Sequence, residues 1–214
     1  MSTDERQTED RRRSLLANPF VWAFLAGIVV LTLIRPLLEF EPDPPPVMGQ
    51  IPVFSLVDQG GEPFGSADLE GRVYAANFFF TSCASICPPM MRAVATLQDR
   101  YRDEGIDEIR LVSITVDPET DTPERLADYA DRFDADPARW TLLTGNFEEI
   151  RRVAVEGFRT AMGDRVEVAD GFFDIAHAGK LVLVDGQGRI RGYYDYDALG
   201  LDELYHRSLH VLDE

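Results

Sequence analysis

Between Arg72 and Tyr101 the chain changes its hydrophobic period once, and two cysteines and two prolines mark the change. Arg72 to Phe80 (RVYAANFFF) is short, aromatic and almost uncharged, as a buried strand should be. From Met91 the apolar residues recur at Val94, Leu97 and Tyr101, a helical spacing that Gly105 stops. Pro88 and Pro89 suit the opening turn of that helix, where a missing N–H costs nothing. Cys83 and Cys87 are the only cysteines, and they fall where a buried strand hands over to a helix N-terminus. The dipole and free N–H groups of that helix end favour a thiolate.

Three readings of the pair are open on these residues. Thiolates prefer Cu(I) and related soft ions, so the pair can be part of a metal site. It can equally be a redox dithiol, a wider-spaced relative of C-x-x-C. A small structural disulfide is the bland alternative, and it would constrain only a short loop. The C-x3-C spacing does not choose among them.

The rest of the domain supplies alternating elements. IPVFSLVD from Ile51 reads as a strand, followed by a glycine turn and a return segment. Ile109 to Val116 is a second buried strand, rich in β-branched residues. The loop Asp117 to Pro123 leads into the helix ERLADYADRF, with Thr122 as its N-cap and Pro123 at the first helical position. Trp140 to Thr144 is a short strand, and Asn146 caps a helix expected to reach about Phe158. After a less regular stretch, Lys180 to Val184 and Arg189 to Tyr194 form a hairpin around Asp-Gly-Gln-Gly, and Leu201 to Leu212 closes the chain as an amphipathic helix. This alternation predicts an α/β domain with a mixed central sheet.

Charge and the N-terminus limit what that domain meets. A net charge of -17 repels phosphates, which argues against nucleic acid as a partner. Leu15 to Ile34 carries no charge over twenty residues, enough to cover the roughly 30 Å hydrocarbon core as a helix. Arg11, Arg12 and Arg13 precede it and Arg35 alone follows it closely, so the N-terminus is expected in the cytoplasm and the remainder outside. No small-x-small cleavage site follows, which favours an uncleaved anchor over a signal peptide. The expected organisation is a cytoplasmic tail over residues 1–14, a transmembrane anchor over 15–38, a Pro-rich linker over 39–49 and a folded domain over 50–214. The cysteines then face the periplasm or the cell exterior, an oxidising space where a functional dithiol needs a metal or a reductant.

The third candidate ligand comes from three histidines. His206 and His210 are spaced i, i+4 on the last helix and read most simply as solvent-facing. His177 precedes the KLVLV strand, in a loop expected near the mouth of the sheet where the cysteine turn lies. As the histidine outside a helix, it is the natural partner for a soft thiol pair. Met90 and Met91 sit at helical spacing and read as core rather than as thioether ligands.

These residues resemble the Sco/SenC group of thioredoxin-fold proteins, which assemble the copper site of cytochrome c oxidase. The resemblance runs from about Gln50 to the C-terminus and rests on FFFTSCASICPPMM, SITVDPETDTPERLADYA and DIAHAGKLVLVDGQGRIRGYYD. It implies a thioredoxin-like fold behind one N-terminal transmembrane helix. It implies that Cys83, Cys87 and His177 hold copper, as Cu(I) and also as Cu(II), and it gives Asp117 a supporting place near the metal. Asp117 and Asp121 otherwise read as loop and helix-start hydrogen-bonding residues. The implied partners are the copper-site subunit of cytochrome c oxidase and other periplasmic copper chaperones. The alternative within the resemblance is a membrane-tethered thiol:disulfide oxidoreductase working through Cys83 and Cys87. Ala84-Ser85 stands where the family has a Pro-Asp-type pair, and Ala178 follows the histidine where a small hydroxyl is usual. Loss of the acidic neighbour makes thiolates easier to form.

Overall fold

The computed structural model describes residues 18–38, 44–160, 162–169, 172–177 and 179–214, with the backbone alone for 35–38, 162–169 and 172–177. The chain divides into two compact units, Met1–Asp43 and Pro44–Glu214. In the first, α1 (Pro19–Leu38) starts at Asn18, whose Oδ1 accepts the Phe20 N–H at 3.0 Å. Phe20, Trp22, Phe24, Ile28, Leu31 and Leu33 are all exposed, so apolar side chains ring the helix rather than forming a stripe. Among the described residues no helix is long and apolar enough to cross a membrane. The described side chains of α1 end at Ile34, a run of about 25 Å at 1.5 Å per residue.

The second unit is built on an eight-stranded sheet in the order β1-β10-β9-β4-β5-β6-β2-β3. Its strands are β1 (Gly49–Gln50), β2 (Ser55–Asp58), β3 (Pro63–Gly65), β4 (Tyr74–Phe79), β5 (Arg110–Thr115), β6 (Trp140–Thr144), β9 (Leu181–Val184) and β10 (Arg189–Tyr194). The central β4, β5 and β6 run parallel, and every other pairing is antiparallel. Parallel neighbours need crossovers, supplied here by α2 (Cys87–Asp103) and α3 (Pro123–Asp131). Every residue of β4 is buried, as its unbroken apolar run requires. The β4–β5 register runs from Tyr74 opposite Arg110 to Phe79 opposite Thr115, so both strands end level. The cysteine turn after Phe79 and the Asp-Pro loop after Thr115 therefore leave the same sheet edge side by side.

Local signals end most elements where the sequence predicts. Gly105 closes α2 at φ 71°, a conformation glycine adopts without strain. Thr122 accepts the Arg125 N–H at 3.4 Å to open α3. Asn146 accepts from Glu148 and Glu149 at 2.9 and 3.2 Å to open α4 (Phe147–Arg152). That helix does not continue to Phe158 as expected. It widens into a π-turn over Val153–Gly157, which carries Gly157 against Pro52 and Phe158 edge-on to Phe78 at 5.2 Å.

Two further departures concern the segment after the π-turn. The stretch expected to be irregular contains two antiparallel strands, β7 (Met162–Ala169) and β8 (Phe172–His177). His177, expected in a loop, is the last residue of β8 and is paired in register with Met162. The end of the Pro-rich spacer is also held: Met48 donates to Ile190 O at 2.8 Å, and Pro45 O accepts from Arg191 Nε at 2.8 Å. α5 (Ala198–Leu212) packs the last layer, with Asp197 accepting the Gly200 N–H at its start.

Candidate metal centre

The cysteine turn is shaped by its own backbone. Cys83 N donates to Phe80 O at 3.2 Å, which folds the chain back as it leaves β4. Cys87 is the first residue of α2, and its N–H donates to Cys83 Sγ at 3.4 Å. Cys83 Sγ thus sits on the free N–H end of the helix, the position the sequence assigned to a stabilised thiolate. Ser85 Oγ lies 3.7 Å from the same sulfur. Both cysteines are free thiols, and both are buried.

The two sulfurs are electrostatically unequal. The Cys87 thiol donates to Cys83, and with N–H groups of Cys87 and Ser85 this holds the Cys83 thiol well below its usual range despite its burial. The same shared proton, reinforced by burial and by the nearby charges of Cys83 and Asp121, pushes Cys87 up. The pair therefore behaves as one acid that loses its first proton easily and keeps its second. A soft cation that binds both sulfurs displaces that second proton.

A carboxylate fixes the turn from the neighbouring loop. Asp121 is fully buried and accepts from Thr81 N at 3.0 Å, from Thr81 Oγ1 and from Thr115 Oγ1 at 2.5 Å. Arg125 Nε donates to Thr81 Oγ1 at 2.7 Å, its Nη2 donates to Ser82 Oγ at 3.1 Å, and the guanidinium lies 3.7 Å from Asp121. Asp121 is therefore a tie between β4, β5 and the cysteine turn, rather than a helix-start residue. Asp117 is buried, and its backbone shapes the loop: its N–H donates to Thr115 Oγ1, and its carbonyl accepts from Thr120 and Asp121. The sequence names both aspartates but offers no sign that Asp121 reaches back forty positions to Thr81.

His177 approaches the same end through the chain that follows it. Gly179 sits so close to the turn that a side chain there would meet Ile86 Cδ1 at 3.5 Å and the Tyr196 ring at 3.3 Å. The His177 side chain lies outside the described residues; its backbone stands two positions before Gly179. Among the described residues no three metal-binding side chains cluster. His206 is exposed, as expected, and lies 3.6 Å from Asp202. His210 departs from the expectation, being partly buried with an unpartnered Nδ1. Met90 and Met91 are fully buried core residues.

Known proteins resemble this chain along most of its length. The family model described as SCO1/SenC matches residues 46–212. The SCO1 protein homolog of Bacillus subtilis is 31% identical over 178 residues, covering 79% of this chain and 85% of that protein. A SCO1/SenC family lipoprotein from Bacillus anthracis superposes with a TM-score of 0.68 at 28% identity, over 76% of this chain and 95% of its own. ScoI of Bradyrhizobium japonicum, solved with copper bound, superposes with a TM-score of 0.66 at 25% identity, over 76% and 99% of the two chains. BsSco, described as a member of the Sco family of cytochrome c oxidase assembly proteins with a disulfide switch, gives 0.64 at 27% identity, over 78% and 98%.

Proposed function

The chain belongs to the SCO1/SenC family, and from that premise we propose that it is a membrane-anchored copper metallochaperone serving cytochrome c oxidase. Copper is the cargo, held by the thiolates of Cys83 and Cys87 and the imidazole of His177. The observation that carries this reading is the buried, unbridged cysteine pair at the N-terminus of α2, with the Cys87 N–H on Cys83 Sγ at 3.4 Å. Two thiolates and one imidazole suit Cu(I), and Cu(II) would accept one further oxygen or nitrogen donor. The copper-bound state of the Bradyrhizobium relative supports the choice of metal.

Transfer proceeds by ligand exchange. Partner cysteines replace Cys83, Cys87 and His177 one at a time, so the ion is never released to water. The anchor places this exchange at the outer face of the membrane that holds the oxidase. Its support is the uncharged run Leu15 to Ile34 and the apolar side chains around α1.

The inequality of the sulfurs also favours a second reading, a thiol:disulfide oxidoreductase that keeps partner cysteines reduced. Cys83 thiolate would attack a partner disulfide and release one partner thiolate. Cys87 would then displace the second, leaving a Cys83–Cys87 disulfide and a reduced partner.

One preparation tests these readings. The full chain should stay in membranes washed with alkaline carbonate and come out only with detergent. Reduced and titrated anaerobically with Cu(I) against a competing chelator, it should bind one equivalent. Cys83→Ser and His177→Ala should lose stable loading while keeping the wild-type fold by circular dichroism. Undiminished one-to-one binding in both variants would overturn the ligand set. Weak binding indifferent to His177 would favour the oxidoreductase.

A further inference from the structure

Of the three residues between the cysteines, one turns its side chain back to a sulfur. Ala84 and Ser85 are both exposed, whereas Cys83 is only 6% exposed. Ser82, on the other side of Cys83, gives its hydroxyl oxygen to Arg125 Nη2 at 3.1 Å. Ser85 instead brings its Oγ to 3.7 Å from Cys83 Sγ, within the longer reach of a hydrogen bond to sulfur. The same sulfur takes the Cys87 N–H at 3.4 Å. Two polar groups thus converge on one Sγ. One is fixed in the backbone at the start of α2, and the other rotates on a side chain at the water edge.

The direction of the Ser85 bond follows from what the sulfur carries. A serine hydroxyl can give or take a hydrogen bond. A cysteine ligates a metal as its thiolate, which has no proton to give. Against a metal-bound Cys83, the Ser85 hydroxyl is therefore the donor. Hydrogen bonds to a ligating sulfur draw electron density from it, and they set the potentials of copper–thiolate and iron–sulfur sites. A sulfur keeps more negative charge on Cu(I) than on Cu(II), so a donor aimed at it favours the reduced ion.

We propose that Ser85 is a positioning residue for the metal centre, its hydroxyl donating to Cys83 Sγ and biasing the loaded site toward Cu(I). The proposal rests on the copper reading given above. It adds a side chain that never touches the ion, yet weights the oxidation state in which the cargo is held. The bond exists in the empty turn, so the site is built before the metal arrives.

The test is Ser85→Ala in the full, detergent-solubilised chain. Beside it stand Ser85→Thr, which keeps the hydroxyl, and Ser85→Asp, whose carboxylate only accepts. Each is loaded with one equivalent of copper and titrated with redox mediators of known potential. The Cu(II)/Cu(I) midpoint and the sulfur-to-Cu(II) charge-transfer band are read on the same sample. Ser85→Ala should favour Cu(II) over Cu(I) about tenfold more than wild type does, the size of one hydrogen bond to a charged acceptor. For a one-electron couple that is a fall of about 59 mV. Its band should move to longer wavelength, because the sulfur donor orbital rises. Ser85→Asp should move both readouts further the same way, and Ser85→Thr should stay close to wild type. A side chain that merely filled the turn would not move potential and band together. A midpoint and band in Ser85→Ala equal to wild type overturn the proposal, as does a threonine variant that behaves like alanine. Should wild type take up no copper, the copper reading fails by itself. Cd(II), whose thiolate absorption reports the sulfurs directly, then tests the bond. A band that shifts in Ser85→Ala and not in Ser85→Thr supports it, an unshifted band overturns it, and a pair that holds neither metal overturns both.

Discussion

At Asp121 a single carboxylate joins two strand ends at Thr81 and Thr115, where the cysteine turn begins. It accepts three donors from Thr81 and Thr115 and receives the Arg125 guanidinium at its edge. Replacing it with alanine strands those donors in a dry site, and each unmade bond to a charged acceptor costs about 1–3 kcal/mol. Asp121→Ala should therefore lower stability by roughly 2–4 kcal/mol in urea unfolding. It should also speed alkylation of Cys83, because the turn loosens. A stability change under about 0.5 kcal/mol, the range of an ordinary surface substitution, would show the tie to be dispensable. At this scale the sequence reveals the chemistry better than the support. Cys83 and Cys87 announce themselves by spacing and by the prolines after them. Thr81 and Asp121 do not, because each owes its role to a neighbour distant in sequence.

Among the elements, the segment that returns the chain to the site is the least legible. The buried strands β4 and β5 and the caps at Thr122 and Asn146 follow from local rules. The π-turn after α4 does not, since its cause is the packing of Gly157 on Pro52 and of Phe158 on Phe78. Nor does the β7–β8 pairing, whose sequence alternates weakly and whose glycines read as irregular. Where that segment rejoins the sheet, Gly179 faces both the end of the cysteine turn at Ile86 and the turn before α5 at Tyr196. Gly179→Val should push Ile86 and Tyr196 apart, since its Cβ alone would meet them at 3.5 and 3.3 Å before the two methyl groups are counted. Overpacking of this kind typically costs about 1–3 kcal/mol. The sharper expectation is a weakened Cu(I) affinity, as the segment carrying His177 is displaced relative to Ile86. Wild-type affinity in this variant would separate the two segments functionally.

Across the folded unit as a whole, the two ends of that unit, Pro45 and Glu214, meet at Arg191. This residue sits at a bulge in β10 and is 3% exposed. Its guanidinium pairs with Asp185 at 3.0 Å and with Glu214, while Nε holds Pro45 O. Burial alone would raise Asp185, but hydrogen bonds from Arg189, Arg191 and Gln187 outweigh it and hold the carboxyl low. Glu214 is lowered mainly by Arg191. Carboxyls lowered on folding contribute stability that is complete above their unfolded values and is lost as pH falls through the folded ones. Stability from this cluster should accordingly begin to fall below about pH 4 and keep falling as pH drops through the lowered folded values. Arg191→Ala should cost about 3–5 kcal/mol at pH 7 in urea, for it takes one of the two guanidiniums from buried Asp185 and strands Pro45 O and Glu214. The deficit should shrink on repeating the measurement near pH 3, and a deficit equal at both values would place the contribution in packing instead. Neither the strand order nor this cluster was readable beforehand, because a mixed sheet admits many orders and the pattern of burial does not rank them. One consequence concerns how the unit can be rewritten. Pro45 and Glu214 touch the same guanidinium, so a short peptide could join the two ends, and the exposed tip at Gly60–Gly61 offers a place to reopen the chain. A circular permutant cut there keeps β4, the cysteine turn and α2 as one uninterrupted piece, and moves the point of attachment to the far side of β6.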